Sequence, residues 1–340
     1  MNRGEGLPRQ LLRRGKAGDA LLLLAVPSLL VGIYSLPVDL KRSLAFDYTQ
    51  PTAVTALTAH YVHLEAAHLT GNLISYAVLV AICYPLSVLA SHRRLFRVVT
   101  VTYLLAFPFV LSGLNLSVPR AAVGYGFSGV NMAFAGFLPL ALTLYARGNL
   151  SSAVRLRHAP GLFLAGVAAV PLLVLPPSRT TFGLAAATGL AVVGYAWTTF
   201  RDYRGVETDV SSVFVALCRR PGWSDLFVLG LVLFVAYPAV GYPGELVDDG
   251  VVVNVFAHFL GFCLAFIGPY SALELGLFED SPASSPVTSD RGGDGSDAET
   301  TDGVRNVGGT ERVENPESAD CGDDERVPES EADPAYGDTF

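Results

Sequence analysis

The stretch AVGYGFSGVNMAFAGFLPLAL, residues 122–142, decides the fold class. It carries no charge and is apolar for about the 20 residues that a helix needs to cross a bilayer. Yet its mouth holds a hydroxyl, Ser128, in Gly126-Phe127-Ser128-Gly129. A serine between glycines at the end of a greasy segment is either a small residue that lets helices pack closely or a reactive group.

The rest of the chain repeats the apolar pattern. Of 340 residues, 51% are hydrophobic and 16% charged, and the mean hydropathy is +0.42, too apolar for an ordinary soluble globule. Eight candidate spans follow, at about 19–37, 68–90, 96–117, 127–146, 160–176, 181–199, 224–241 and 251–275. The expected fold class is all-α, a polytopic membrane helix bundle with about eight spans. The fifth span is short and closes on Pro176 and Pro177, so it and the sixth form a tight hairpin or a partly re-entrant pair.

Charge divides the chain. Residues 279–340 hold 18 of the 31 acidic side chains and 4 of the 23 basic ones, a net −14 against +6 elsewhere. With few bulky apolar residues, that stretch cannot offset its chain entropy and is expected to be a disordered cytoplasmic tail. Residues 1–18 form a basic N-terminal segment. The long apolar run after it, without an A-x-A cleavage site, reads as an uncleaved signal anchor. Basic residues favour the cytoplasmic side. Arg93, Arg94 and Arg97, then Arg147, Arg155 and Arg157, then Arg201, Arg204, Arg219 and Arg220 mark loops two, four and six. Loops three, five and seven carry Arg120, Arg179, and the acidic Glu245, Asp248 and Asp249, while the first loop mixes Lys41 and Arg42 with Asp39 and Asp47. The expectation is a multi-pass protein of the cell membrane with both termini cytoplasmic. Cys83, Cys218, Cys263 and Cys321 are scattered singly, which suits neither a disulfide framework nor a cysteine-based zinc site.

Polar residues inside a membrane are costly and point to function. Three groups stand out: His63, His68 and Asn72; Ser128; and Asn254 with His258. They lie at the starts of spans two, four and eight, all even-numbered, so all three enter from one leaflet. Ser128 with a histidine makes a nucleophile and its general base. His68 and Asn72, four apart, share a helix face and offer two donors to an oxyanion.

These residues resemble the rhomboid intramembrane serine proteases. The family's G-x-S-G serine matches Gly126-Phe127-Ser128-Gly129, its A-H-x-x-G histidine matches Ala257-His258-Phe259-Leu260-Gly261, and its H-x-x-x-N matches His68-Leu69-Thr70-Gly71-Asn72, with His63 as the further upstream histidine. The resemblance covers about residues 20–275, a rhomboid-like membrane domain within 19–278. It implies peptide-bond hydrolysis in transmembrane protein substrates, with Ser128 as nucleophile and His258 as base. His68 and Asn72 would stabilise the oxyanion, and Gly126, Gly129, His63, Asn254 and Gly261 would support them. No cofactor, metal or nucleic-acid partner is expected, only the substrate and the lipid bilayer. The chain departs from the family in four ways: three spans rather than one between serine and histidine, Met132 where a tyrosine often packs on the histidine, Ala265 for a second close-packing glycine, and no Trp-Arg pair in the first loop.

Other classes fit less well. His63 and His68 nearly spell H-E-x-x-H, but five residues apart on one helix they would diverge by about 140°. Asp248 and Asp249 sit together in a polar loop, which does not suit an aspartyl protease. A pseudoprotease that binds transmembrane clients would typically lack the serine or histidine present here. A transporter would show two matching halves with interrupted helices, and the sequence contains no internal repeat.

Overall fold

A computed structural model describes residues 6–118, 122–151, 153–203, 222–242, 247–248, 251–252 and 254–278. The expected tail lies outside the described residues, as do Arg120, Arg204, Arg219, Arg220, Glu245 and Asp249 of the charge pattern. The helices are α1 Leu7–Arg14, α2 Ala17–Tyr34, α3 Val38–Ser43, α4 Ala53–Thr58, α5 Ala66–Leu89, α6 Arg93–Leu105, α7 Phe107–Asn115, α8 Ser128–Asn149, α9 Ala159–Val174, α10 Arg179–Tyr203, α11 Trp223–Gly241 and α12 Val255–Glu274. Among the described residues, strand is confined to two-residue ladders: Phe46–Asp47 against Val123–Gly124, and Val247–Asp248 against Val251–Val252. The chain is an all-α polytopic bundle, a multi-pass membrane protein.

Among the described residues, seven segments are long and apolar enough to span a membrane alone, and the pair α6–α7, bent by 45°, makes an eighth. Helix direction shows that the bent pair completes one crossing. The N-terminal ends of α5 and α8 meet where Asn131 donates to Asn72, and their C-terminal ends meet where Asn149 donates to the Leu89 carbonyl. The two helices therefore run parallel, so α6–α7 must return the chain once between them. The eighth expected span starts later than its apolar run, because Val251–Val252 is spent on a ladder and Asn254 caps the helix.

The core is α8. Every residue from Gly129 to Ala146 is buried, because α5, α11 and α12 pack around it. Glycine permits the closest of these contacts: a Cβ on Gly136 would lie 2.0 Å from the Phe262 carbonyl oxygen, and one on Gly261 would lie 2.5 Å from that of Gly129. The α9–α10 pair is an antiparallel hairpin. The largely exposed α10 packs chiefly on α9, and the Tyr195 hydroxyl reaches back to the Arg157 carbonyl.

Three helix prolines reveal how the bundle meets its hydrogen-bonding obligations. A proline leaves the carbonyl four residues earlier without its helical donor, and in hydrocarbon that group must be satisfied by a neighbour. Pro27 frees Leu23, whose carbonyl accepts from Tyr76 at 3.0 Å. Pro108 frees Leu104, which accepts from the Tyr61 hydroxyl at the α6–α7 bend. Pro269 frees Ala265, which accepts from Tyr103 at 2.7 Å. Each tyrosine comes from a different segment than the carbonyl it serves, so the repairs also tie the helices together.

Candidate active site

The turn into α8 forces its own geometry. Gly126 has φ +113°, a conformation open to glycine, and its N–H donates to the Ala59 carbonyl at 2.9 Å. A side chain there would also collide with the His68 ring, 2.6 Å from Cε1. Phe127 caps the helix and takes Val130 and Asn131 N–H onto its carbonyl, so Ser128 is the first helical residue. The N–H groups of Ser128 and Gly129 precede the intrahelical ladder and point out of the helix start, where partial positive charge gathers.

His258 enters from α12. Asn254 caps that helix by accepting the Ala257 N–H at 3.0 Å, and its amide donates to Asn115 Oδ1 at 2.9 Å and Tyr48 Oη at 3.2 Å. This clamp fixes the first turn, and the buried His258 projects from it to place Nε2 2.8 Å from Ser128 Oγ. Its other nitrogen, Nδ1, lies 2.7 Å from the Gly241 carbonyl oxygen. A carbonyl only accepts, so Nδ1 carries the proton and Nε2 keeps the lone pair facing the serine. Orientation therefore comes from the last residue of α11, with the Tyr242 ring edge-on to the imidazole at 6.2 Å.

A second cluster lies beside the serine. Asn131, one turn into α8, donates to both Asn72 Oδ1 and the Asn72 carbonyl at 3.0 Å. That turns the Asn72 amide nitrogen onto His63 Nε2 and the His68 carbonyl, each at 3.1 Å. His63 Nε2 also receives the Phe127 N–H at 3.4 Å. Burial, with a smaller push from His68, lowers the His63 pKa to about 4, so the ring stays neutral and able to accept. Both Asn72 N–H bonds are thus engaged in this arrangement. The His68 ring packs on Gly126, two residues before the serine.

Ser128 and His258 are joined directly, His63 and Asn72 join each other, and Gly126, Gly129 and Gly261 supply the close approaches. Asn254 stands apart from the serine and acts on the helix carrying His258. His63 precedes α5, so the divergence expected between His63 and His68 does not apply; their rings meet edge-on at 4.9 Å. Among the described residues, no three His, Cys, Asp or Glu side chains cluster to hold a metal ion. Sequence reading passed over Asn131, Asn115 and His60. All three are polar in or beside apolar segments, a signal that was legible. His60 lies behind the serine turn, with Nε2 3.1 Å from Ser112 Oγ. No protein-family model matches the chain, and no curated protein or solved structure gives a significant match.

Proposed function

We propose that the chain is an intramembrane serine endopeptidase of the rhomboid type, cutting transmembrane protein substrates through a Ser128–His258 dyad. The observation carrying this reading is the pair of contacts on one imidazole: Nε2 to Ser128 Oγ at 2.8 Å and Nδ1 to the Gly241 carbonyl at 2.7 Å. A merely structural histidine needs no serine at its free lone pair, at a helix start, beside two outward N–H groups.

The reaction follows from the placement. Ser128 Oγ attacks the scissile carbonyl as its proton passes to His258 Nε2, and the imidazolium that forms is steadied by the Gly241 carbonyl. The developing oxyanion is met by the Ser128 N–H and His68, with Asn72 joining by releasing one internal partner. The same proton then goes to the leaving amine, and water resolves the ester by the reverse sequence. A helical substrate hides its carbonyls in i to i−4 bonds, so cleavage requires local unwinding and favours sites near Gly or Pro.

The charge pattern supports an orientation, in the cell membrane, with the site end of α5, α8 and α12 outside the cytoplasm and both termini inside it. Fluorophosphonate labelling of the detergent-purified chain tests the chemistry. Wild type is expected to label and cleave a transmembrane test substrate, whereas Ser128→Ala and His258→Ala do neither, and the double variant is scarcely worse than either single one. Full cleavage by a folded Ser128→Ala protein would end this reading.

A further inference from the structure

At the opposite end of the bundle from Ser128, a cavity of about 450 Å³ opens between the last turns of α5, α8 and α12 and the start of α6. Arg94 and Arg147 line it together with His92, and its remaining wall includes Leu144, Leu273 and Phe278. Three arginines at this end have partners. Arg93 and Arg97 pair with the buried Asp19, and Arg14 donates to the Leu89 carbonyl. Among the described residues, Arg94 and Arg147 pair with no carboxylate. Arg147 suits the last turn of α8, but Arg94 sits in the first turn of α6, where the helix dipole disfavours a cation. Helix stability therefore does not explain it. Two guanidinium groups lining one cavity match a phosphate, which each can hold in bidentate fashion. Leu95, Leu144, Leu156, Leu273 and Phe278 give the same wall an apolar side, which suits the glycerol and acyl portion of a lipid, in the manner of basic pockets at membrane faces.

We propose that the Arg94–Arg147 cavity binds the phosphate of an anionic phospholipid. This site does not depend on the protease reading. The test is native mass spectrometry of the detergent-purified full chain with dioleoyl-phosphatidylglycerol, with dioleoyl-phosphatidylcholine, and with inorganic phosphate alone, alongside the melting temperature. Phosphatidylglycerol should be retained by wild type and by the charge-matched control Arg155→Gln/Arg201→Gln. Retention should fall at least about tenfold in Arg94→Gln/Arg147→Gln and recover in part in Arg94→Lys/Arg147→Lys, which also guards against a folding defect. Equal retention of both lipids, or equal loss in the control, would overturn the site. A melting shift with inorganic phosphate and no lipid retention would overturn the lipid as its source.

Discussion

Gly261→Ala is the perturbation that separates a catalytic arrangement from a merely packed one. The added Cβ would lie 2.5 Å from the Gly129 carbonyl oxygen, a backbone atom that cannot swing aside. Restoring a tolerable contact moves α12 off α8 by about 0.5–0.9 Å, since overpacked helices respond by backbone shifts. His258 stands three residues earlier on the same helix, so its 2.8 Å contact with Ser128 Oγ stretches to about 3.3–3.7 Å, at or past the limit of a hydrogen bond. A displacement of this size costs on the order of 100-fold in rate. Stability should fall less, because the overpacking cost of about 1–3 kcal/mol is partly offset by the roughly 1 kcal/mol helix preference of Ala over Gly.

The control lies on the same helix. Gly268 faces open space, so Gly268→Ala should keep its rate and gain stability. Fluorophosphonate labelling rates and melting temperatures on both purified variants decide the matter. If Gly261→Ala labels as fast as wild type, or if both variants slow alike, helix spacing does not set the dyad and the argument fails.

Asn72→Ala should slow acylation about 100-fold, roughly 3 kcal/mol, and His63→Ala should nearly match it because the two belong to one network; wild-type labelling in either would remove the oxyanion cluster and leave Ser128 in place. Tyr103→Phe strands the Ala265 carbonyl and should cost about 1–3 kcal/mol, whereas in the Pro269→Ala background the same change should cost much less; equal costs in both backgrounds would refute the repair. Burial holds His60 and His63 near pKa 4, below the unfolded value of 6.5, so the unfolded chain binds more protons between those limits. Their contribution is therefore complete above about pH 6.5 and lost as pH falls toward about 4, by up to roughly 3 kcal/mol each, and a melting curve against pH should flatten in His60→Gln/His63→Gln. For orientation, Gln50→Cys and Ser178→Cys should react with impermeant reagents on intact cells and Arg155→Cys should not; the reverse pattern would invert the topology.

The spans were legible because bilayer thickness translates directly into residue count, and the three polar groups were legible because polar side chains in hydrocarbon are conspicuous. What hid the rest was distance along the chain. Nothing in a linear reading ties Pro108 to Tyr61 or Pro269 to Tyr103, although each proline announces a carbonyl in need of a donor. The Gly241 carbonyl carries no residue-type signal at all, since every residue has one.

That carbonyl also changes how Met132 should be read. Position by position, Met132 departs from the rhomboid proteases that the sequence resembles, a flexible thioether where they often pack a tyrosine on the histidine. In the folded chain, its sulfur fills the space that a Cβ on Gly241 would need, 2.5 Å away, and its own Cβ is 3.5 Å from where a Cβ on Gly261 would stand. A rigid aromatic ring at 132 would have to be accommodated in that same gap, where α11 closes against α8 and α12. The methionine and the two glycines are therefore one adjustment. They bring the end of α11 close enough for its last carbonyl to take the His258 Nδ1 proton, so orientation that a ring would supply by stacking is supplied by a hydrogen bond that also selects the tautomer.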